Sequence, residues 1–197
     1  MKHFLPYLFL LLCQTLLAQS FNFINYSVRE GLPQSQVYAT CQDSRGYMWF
    51  GTQGGGLSRY DGFTFQNYTA GDGLASNYIQ ALSETPDRRI IAGTSKGVSV
   101  LNGEHFETWM FRDSNDHFIT AILPGIKGGY WIGTADGLYF SEGPGKPIDS
   151  WKKEALLNET YINTLFKDTY GLWVGTNKGL WLIGDRVTRL SPQQGLS

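Results

Sequence analysis

Hydrophobic and polar positions in this chain alternate over short runs and break at glycine-containing turns. Val37, Ala39 and Cys41 fall on every second position, as do Ile79 with Ala81, Ile119 with Ala121, and Ile162 with Thr164. A side-chain period of two marks a strand, and these alternating residues are expected to share its buried face. A branched residue followed two positions later by a small one suits a strand pressed against crowded neighbours. A second apolar run follows each time and closes on Gly-Thr: M-W-F-G-T at 48–52, I-I-A-G-T at 90–94, Y-W-I-G-T at 130–134 and L-W-V-G-T at 172–176. A third run begins after Gly54, Gly55 and Gly56, after Lys96-Gly97, after Asp136-Gly137 or after Lys178-Gly179. A fourth, richer in aromatics, follows Asp61-Gly62, Asn102-Gly103, Glu142-Gly143 or Gly184-Asp185 and covers 63–68, 106–111, 148–151 and 187–190. Glycine in such dipeptides supplies the positive φ that tight hairpin turns need. No segment of useful length keeps a helical period.

The Gly-Thr pairs begin at Gly51, Gly93, Gly133 and Gly175, at intervals of 42, 40 and 42 residues. Four antiparallel strands repeated at about 40 residues make the blade of a β-propeller. The predicted fold is therefore all-β, with blades over 34–69, 76–111, 117–151 and 160–191. Residues 21–28 (F-N-F-I-N-Y-S-V) repeat the phrase that ends the first unit, F-T-F-Q-N-Y-T, and are expected to form an orphan outer strand. Residues 195–197 restart the Gly-Leu phrase found at Gly31-Leu32 and Gly73-Leu74, as the opening of a fifth unit. An orphan strand needs a blade lacking its own outer strand, and none of the four lacks one. The expectation is an open part of a seven-bladed propeller, with a closed four-blade ring as the alternative.

Residues 1–19 read differently from the rest. Lys2 and His3 precede an apolar run too short to span a bilayer with ease, as in a secretory signal peptide cleaved near Ala18 or Gln19. The alternative, a lipid anchor on Cys13, is disfavoured by the bulky Leu12 before it. The remainder, 20–197, then holds Cys41 alone, so packing rather than a disulfide must stabilise an exported domain. Cys41 is expected to be a buried, inert thiol. Glycine is abundant (24 residues), aromatics make up 15%, and the formal net charge is −1. That balance offers no basic face for nucleic acid.

The phrase G-L-P-Q-S-Q-V…D-S-R-G-Y-M-W-F-G-T…G-G-L-S-R-Y-D-G-F-T-F-Q-N-Y, from Gly31 to Tyr68, resembles the two-component regulator propeller repeat. The resemblance is strongest over 31–69. The second unit replaces the tryptophan by Ile91 and places Arg88 and Arg89 where glycine is expected, and the third lacks the aspartate. The resemblance implies the N-terminal, periplasmic sensor part of a hybrid two-component histidine kinase of the Bacteroidetes type. In that family the propeller is followed by a β-sandwich, a membrane helix and a kinase or other output module. It implies no catalysis in this chain and often an oligosaccharide ligand. Membrane contact is expected only through a C-terminal segment outside this chain.

Candidate chemistry was weighed against packing. Asp43 and Asp168, each three residues before a glycine and shortly before a tryptophan, suit a turn cap better than an acid or metal site. The same pattern resembles the Asp-box of sialidases, but no arginine cluster or Tyr/Glu pair accompanies it. The recurring Trp and Gly also resemble quinoprotein blades, where the tryptophan docks one blade on the next. Thr52, Thr94, Thr134 and Thr176 suit backbone-bonding turns. His105 and His117 lack partners at metal-ligand spacing, and no cofactor is expected. Gly54, Gly55 and Gly56 lack the Lys-Ser/Thr of a phosphate loop. The sequons at Asn25, Asn67 and Asn158 matter only in a eukaryotic secretory pathway.

What remains is a binding surface on the loops joining strand four to strand one and strand two to strand three. Gln34, Gln36, Gln53, Asn77, Lys96, Asp136 and Lys178 are its candidate ligand-binding residues. Expected partners are an oligosaccharide or other small ligand, and either a second copy or further blades on the exposed end faces. An exported hydrolase or lyase with catalytic residues outside this chain, and a propeller serving only protein contact, are the alternatives.

Overall fold

A computed structural model describes residues 23–111, 118–125, 129–142 and 150–190. The described residues form sixteen strands in four antiparallel four-stranded sheets. Blade 1 holds β1 (Val37–Gln42), β2 (Met48–Thr52), β3 (Leu57–Tyr60) and β4 (Phe65–Tyr68). Blade 2 holds β5 (Ile79–Glu84), β6 (Ile90–Thr94), β7 (Gly97–Asn102) and β8 (His105–Met110). Blade 3 holds β9 (Ile119–Pro124), β10 (Tyr130–Thr134), β11 (Leu138–Ser141) and β12 (Lys152–Lys153). Blade 4 holds β13 (Ile162–Lys167), β14 (Leu172–Thr176), β15 (Gly179–Ile183) and β16 (Val187–Leu190). The expected leader at 1–19, the restart at 195–197, Cys13 and His117 lie outside the described residues.

The core lies between blades, because each sheet is apolar on both faces. Trp49 and Leu57 of blade 1 pack on Ile79, Ile90 and Ala92 of blade 2. Ala81, Val98 and Val100 of blade 2 pack on Ile119, Ile122 and Ile132 of blade 3. Leu138 of blade 3 packs on Leu157, Ile162 and Val174 of blade 4. The closest approach recurs at the Gly-Thr glycine. A Cβ added at Gly51, Gly93 or Gly133 would stand 2.6, 2.4 or 2.6 Å from Cγ2 of Ile79, Ile119 or Ile162, the first residue of the next blade. Only glycine admits that contact. Each isoleucine is fully buried, worth about 1.5–3 kcal/mol apiece.

The alternation predicted that the branched residue and the small one share a face. They do not. A register shift separates Ile79 from Ala81, and the same shift recurs in the other three first strands. Ile79 packs toward blade 1 while Ala81 packs toward blade 3. One bulged residue turns a single alternating face into two, so the first strand serves both neighbours.

Two further expectations shift. Residues 23–27 make no described sheet strand; a 3-10 turn, Val28–Glu30, follows. Yet the segment occupies an outer-strand place. Tyr26 meets Phe65 edge-on at 5.6 Å and 71°, as Tyr68 of β4 meets Phe106 at 5.5 Å and 78°. The turn after it carries a Ser27–Glu30 capping box and left-handed Gly31, matching Thr69–Asp72 and Gly73. Every described sheet already has four strands of its own. The outer strand of blade 3 was expected over 148–151, of which 148 and 149 lie outside the described residues; among those described it is Lys152–Lys153. Trp151 packs edge-on against Phe111 of blade 2. Lys152 and Lys153 pair with Glu142 and Asp136.

Two substitutions test this packing. Gly93→Ala should cost about 1–3 kcal/mol in urea unfolding, since its methyl overlaps Ile119, whereas Gly71→Ala, which approaches only Thr69 Oγ1 at 3.4 Å, should be nearly neutral. Arg88 is exposed and left-handed at φ 61, in the turn where blade 1 has Gly46. Arg88→Gly should therefore raise stability by about 1 kcal/mol, read from the same midpoint.

Candidate functional site

The branched residue that opens β5, β9 and β13 is turned into the preceding blade. The second residue of each first strand, Tyr38, Gln80, Thr120 or Asn163, projects elsewhere. Since the first strands of successive blades lie side by side, these residues converge. With Tyr161 they line an open cleft of about 380 Å³. Among the described residues its lining holds two phenols, two carboxamides and one hydroxyl, and no charged side chain. Thr120 donates to the carbonyl of Ile162 and ties blade 3 to blade 4. Tyr38 and Tyr161 are 52% and 39% exposed, so their rings are open to a ligand.

A backbone ladder places the surrounding loops. The residue just after each Gly-Thr donates to the residue just before each first strand: Gln53 to Gln36 (3.0 Å), Ser95 to Tyr78 (3.1 Å), Ala135 to Phe118 (3.2 Å) and Asn177 to Tyr161 (3.1 Å). The strand 2–3 turn and the entry to strand one therefore share one end of every blade. Gln36 holds the place that Tyr78, Phe118 and Tyr161 hold in the other blades.

The structure brings none of the seven sequence candidates into the cleft lining. Gln34 accepts a hydrogen bond from the Ser35 amide, and Gln36 is exposed. Gln53 forms an isolated bridge with Tyr78. Asn77 is a structural staple: its Oδ1 accepts from the Ala70 amide, and its carbonyl accepts from Gly54 and Gly56. The Lys96 amide donates to Thr94 Oγ1 and its carbonyl accepts from Phe111. Asp136 accepts from the Tyr139 hydroxyl at 3.0 Å and pairs with Lys153 at 2.7 Å. Lys178 Nζ donates to the Glu159 carbonyl. The signal that points to the cleft is positional: a polar or aromatic residue follows the branched residue in every unit.

The repeated motif residues are occupied by folding. Asp43 Oδ1 accepts from the amides of Arg45 and Tyr47, and Oδ2 accepts from the buried indole of Trp49 at 2.9 Å. Asp168 accepts from the amides of Tyr170 and Gly171. Desolvation there opposes ionisation, but the Trp173 indole and these amides outweigh it and hold the carboxyl below its usual range. In blade 2 the clasp is rebuilt on Thr85, whose hydroxyl both donates to and accepts from the Arg89 backbone. Thr52, Thr94, Thr134 and Thr176 each donate to the glycine carbonyl that closes the strand 2–3 turn. Cys41 is half-buried; desolvation, with Glu84 and Asp43 nearby, pushes its thiol up and away from reactivity. His105 lies exposed on β8, and among the described residues no three His, Cys, Asp or Glu side chains gather as a metal site.

The sequence profile described as "Two component regulator propeller" matches residues 31–54 and 156–178. Each matched segment contains the turn before strand one, strands one and two, and the Asp–Trp clasp. These two segments match the two-component regulator propeller repeat. The matched regulator propeller segments also share Leu32 and Leu157, buried to 4% and 0%, with Leu74 in the same place in blade 2. The fold is similar to the extracellular domain of the putative hybrid two component system BT4673 from B. thetaiotaomicron: TM-score 0.70, 17% identity, covering 87% of this chain and 24% of that one. It is similar too to the extracellular domain of the putative hybrid two component system BT3049 from the same organism: TM-score 0.66, 22% identity, covering 83% and 24%. A catalytically inactive virginiamycin B lyase from Staphylococcus aureus gives a TM-score of 0.69 at 12% identity, covering 88% and 61%. The chain thus spans about a quarter of the length of the first two. No curated protein matches it.

Asp43→Asn is the direct test of the clasp. The amide keeps one acceptor for the two backbone N–H groups but turns a donor toward the Trp49 indole, leaving that buried N–H without an acceptor. The expected loss is about 1–3 kcal/mol in urea unfolding followed by tryptophan fluorescence. In a Trp49→Phe background the same change should cost much less.

Proposed function

We propose that this chain is a non-catalytic, exported ligand-sensing propeller, the extracellular part of a two-component sensor, and that its ligand is a neutral oligosaccharide held in the first-strand cleft. The observation that carries the reading is the cleft's lining. Two exposed tyrosine rings offer stacking surfaces, while the carboxamides of Gln80 and Asn163 make no side-chain hydrogen bond to another described residue. Aromatic faces beside unpaired amides suit a molecule that presents C–H faces and hydroxyl edges. Absence of charge from the lining disfavours phosphates and carboxylates, and also the acid–base pair that hydrolysis or elimination would require. The rim residues Gln36 and Gln53 stand at the same end and would meet the longer part of a chain-like ligand.

Sensing then follows from the build. The four lining positions belong to four different blades, and Gln80, Thr120 and Asn163 are each one residue from the contact that seats their blade on the previous one. A ligand that bridges these positions favours one blade arrangement over another, and such differential binding is what can shift a sensor. Similarity to extracellular domains of hybrid two component systems supports placing the output in a kinase or other module across the membrane. Among the described residues no helix is long and apolar enough to cross a membrane.

The test is a panel of neutral and uronic-acid-containing oligosaccharides, screened by immobilised array and then by calorimetry. Neutral members should bind and remain unaltered. Asn163→Ala and Tyr38→Ala should each weaken binding about tenfold or more while leaving the unfolding midpoint nearly unchanged, since both side chains are exposed. Preference for acidic sugars, indifference to both substitutions, or cleavage of a panel member would overturn the reading.

A further inference from the structure

Two residues before each of Tyr38, Gln80, Thr120 and Asn163 stands an outer tier: Gln36, Tyr78, Phe118 and Tyr161. The carbonyl of each accepts from the residue after the Gly-Thr of its own blade. In blade 4 both tiers, Tyr161 and Asn163, open into the cleft. The entry to strand one is built alike in every blade, so the outer tier continues the cleft along its rim. It is aromatic on three successive blades.

Tyr78 is the member of this tier best placed to meet a ligand. It is 49% exposed although blades 1 and 3 flank its blade within the chain. Its backbone is held three times: by a bridge to Gln53 of blade 1, by its amide on Ser76 Oγ at 3.2 Å, and by its carbonyl on the Ser95 amide at 3.1 Å. Its ring passes beside the strand 2–3 turn of blade 1, where a Cβ at Gly54 would stand 3.5 Å from Cζ. The Asn77 carbonyl fixes that turn by accepting from Gly54 and Gly56. Little is therefore left to order when a ligand arrives. An open ring with the Gln53 carboxamide across the bridge repeats, outside the cleft, the pairing of aromatic and amide found within it.

We propose that Tyr78 is a second stacking platform beyond the cleft, and that the ligand is a linear neutral glycan whose units lie along the rim from Tyr161 past Phe118 to Tyr78. The inference rests on the oligosaccharide reading of the cleft, and adds the shape of the ligand and a residue that reads its length. A single sugar ring stacks on one aromatic face; three faces on three successive blades take a chain. Once the cleft holds one end of that chain, contact at Tyr78 is intramolecular, so units that reach it tighten binding without a separate encounter.

The experiment is calorimetric titration of the protein with a length ladder, disaccharide to hexasaccharide, of the linear neutral glycan bound tightest on the array. Wild-type affinity should rise about tenfold or more across the ladder. Tyr78→Ala should keep the disaccharide affinity and lose most of that gain, with the unfolding midpoint nearly unchanged because the side chain is exposed. Tyr78→Phe, which keeps the ring, should keep the gain. Gln53→Ala leaves the backbone bridge in place and should reduce the gain; it decides the matter should Tyr78→Ala unfold. Flat affinity across the ladder, a gain that survives both alanine substitutions, an equal loss at disaccharide and hexasaccharide, or neutral binders that are all branched would each overturn the inference and leave the cleft reading standing. An array with no neutral binder overturns that reading, and the inference falls with it.

Discussion

Everything in this molecule depends on a glycine that lets the next blade come close. At Gly51, Gly93 and Gly133 a branched side chain from the following strand occupies the space a Cβ would need. That contact fixes how far apart successive sheets sit, and the apolar clusters between blades fill in around it. The residues that look most like chemistry serve the same end. Asp43 ties a turn to the Trp49 indole, and the Gly-Thr hydroxyls close the turns on the other side. Their recurrence reflects a packing problem solved once per blade.

The cleft is a by-product of that solution. A bulge sends the branched residue toward one neighbour and the small residue toward the other, and the residue between them faces the cleft. Packing constrains the flanking positions more than this one, and Tyr38, Gln80, Thr120 and Asn163 differ in size and chemistry within one chain, with Thr120 alone of the four tied to the next blade by a side-chain hydrogen bond among the described residues. A repeat protein can vary its ligand there without disturbing its blades.

The blade architecture was legible because turn glycines and alternation mark strands strongly, and because the period repeats. Turn roles for Asp43, Asp168 and the four threonines were legible for the same reason. The face shared by Ile79 and Ala81 was misread, since a bulge changes direction without changing the local pattern. The outer strand of blade 3 was less legible: its described part, Lys152–Lys153, pairs with β11 and carries ion pairs to Glu142 and Asp136 rather than aromatic side chains. The seven loop candidates followed from the rule that loops carry binding. Asn77, Asp136 and Lys178 are instead engaged in holding turns and neighbouring segments, and the cleft lies mainly on strands.

On the proposed function, the residue after the branched one is the ligand contact. Side-chain amide resonances offer the most direct view of it, because Gln80 and Asn163 line the cleft while Gln34 and Asn77 lie outside it. In a titration with the tightest-binding neutral oligosaccharide of the panel, the amide signals of Gln80 and Asn163 should move together and saturate, with those of Gln34 and Asn77 unchanged. Movement of Gln34 and Asn77 with a still Gln80 and Asn163 would contradict the account and return the site to the loops.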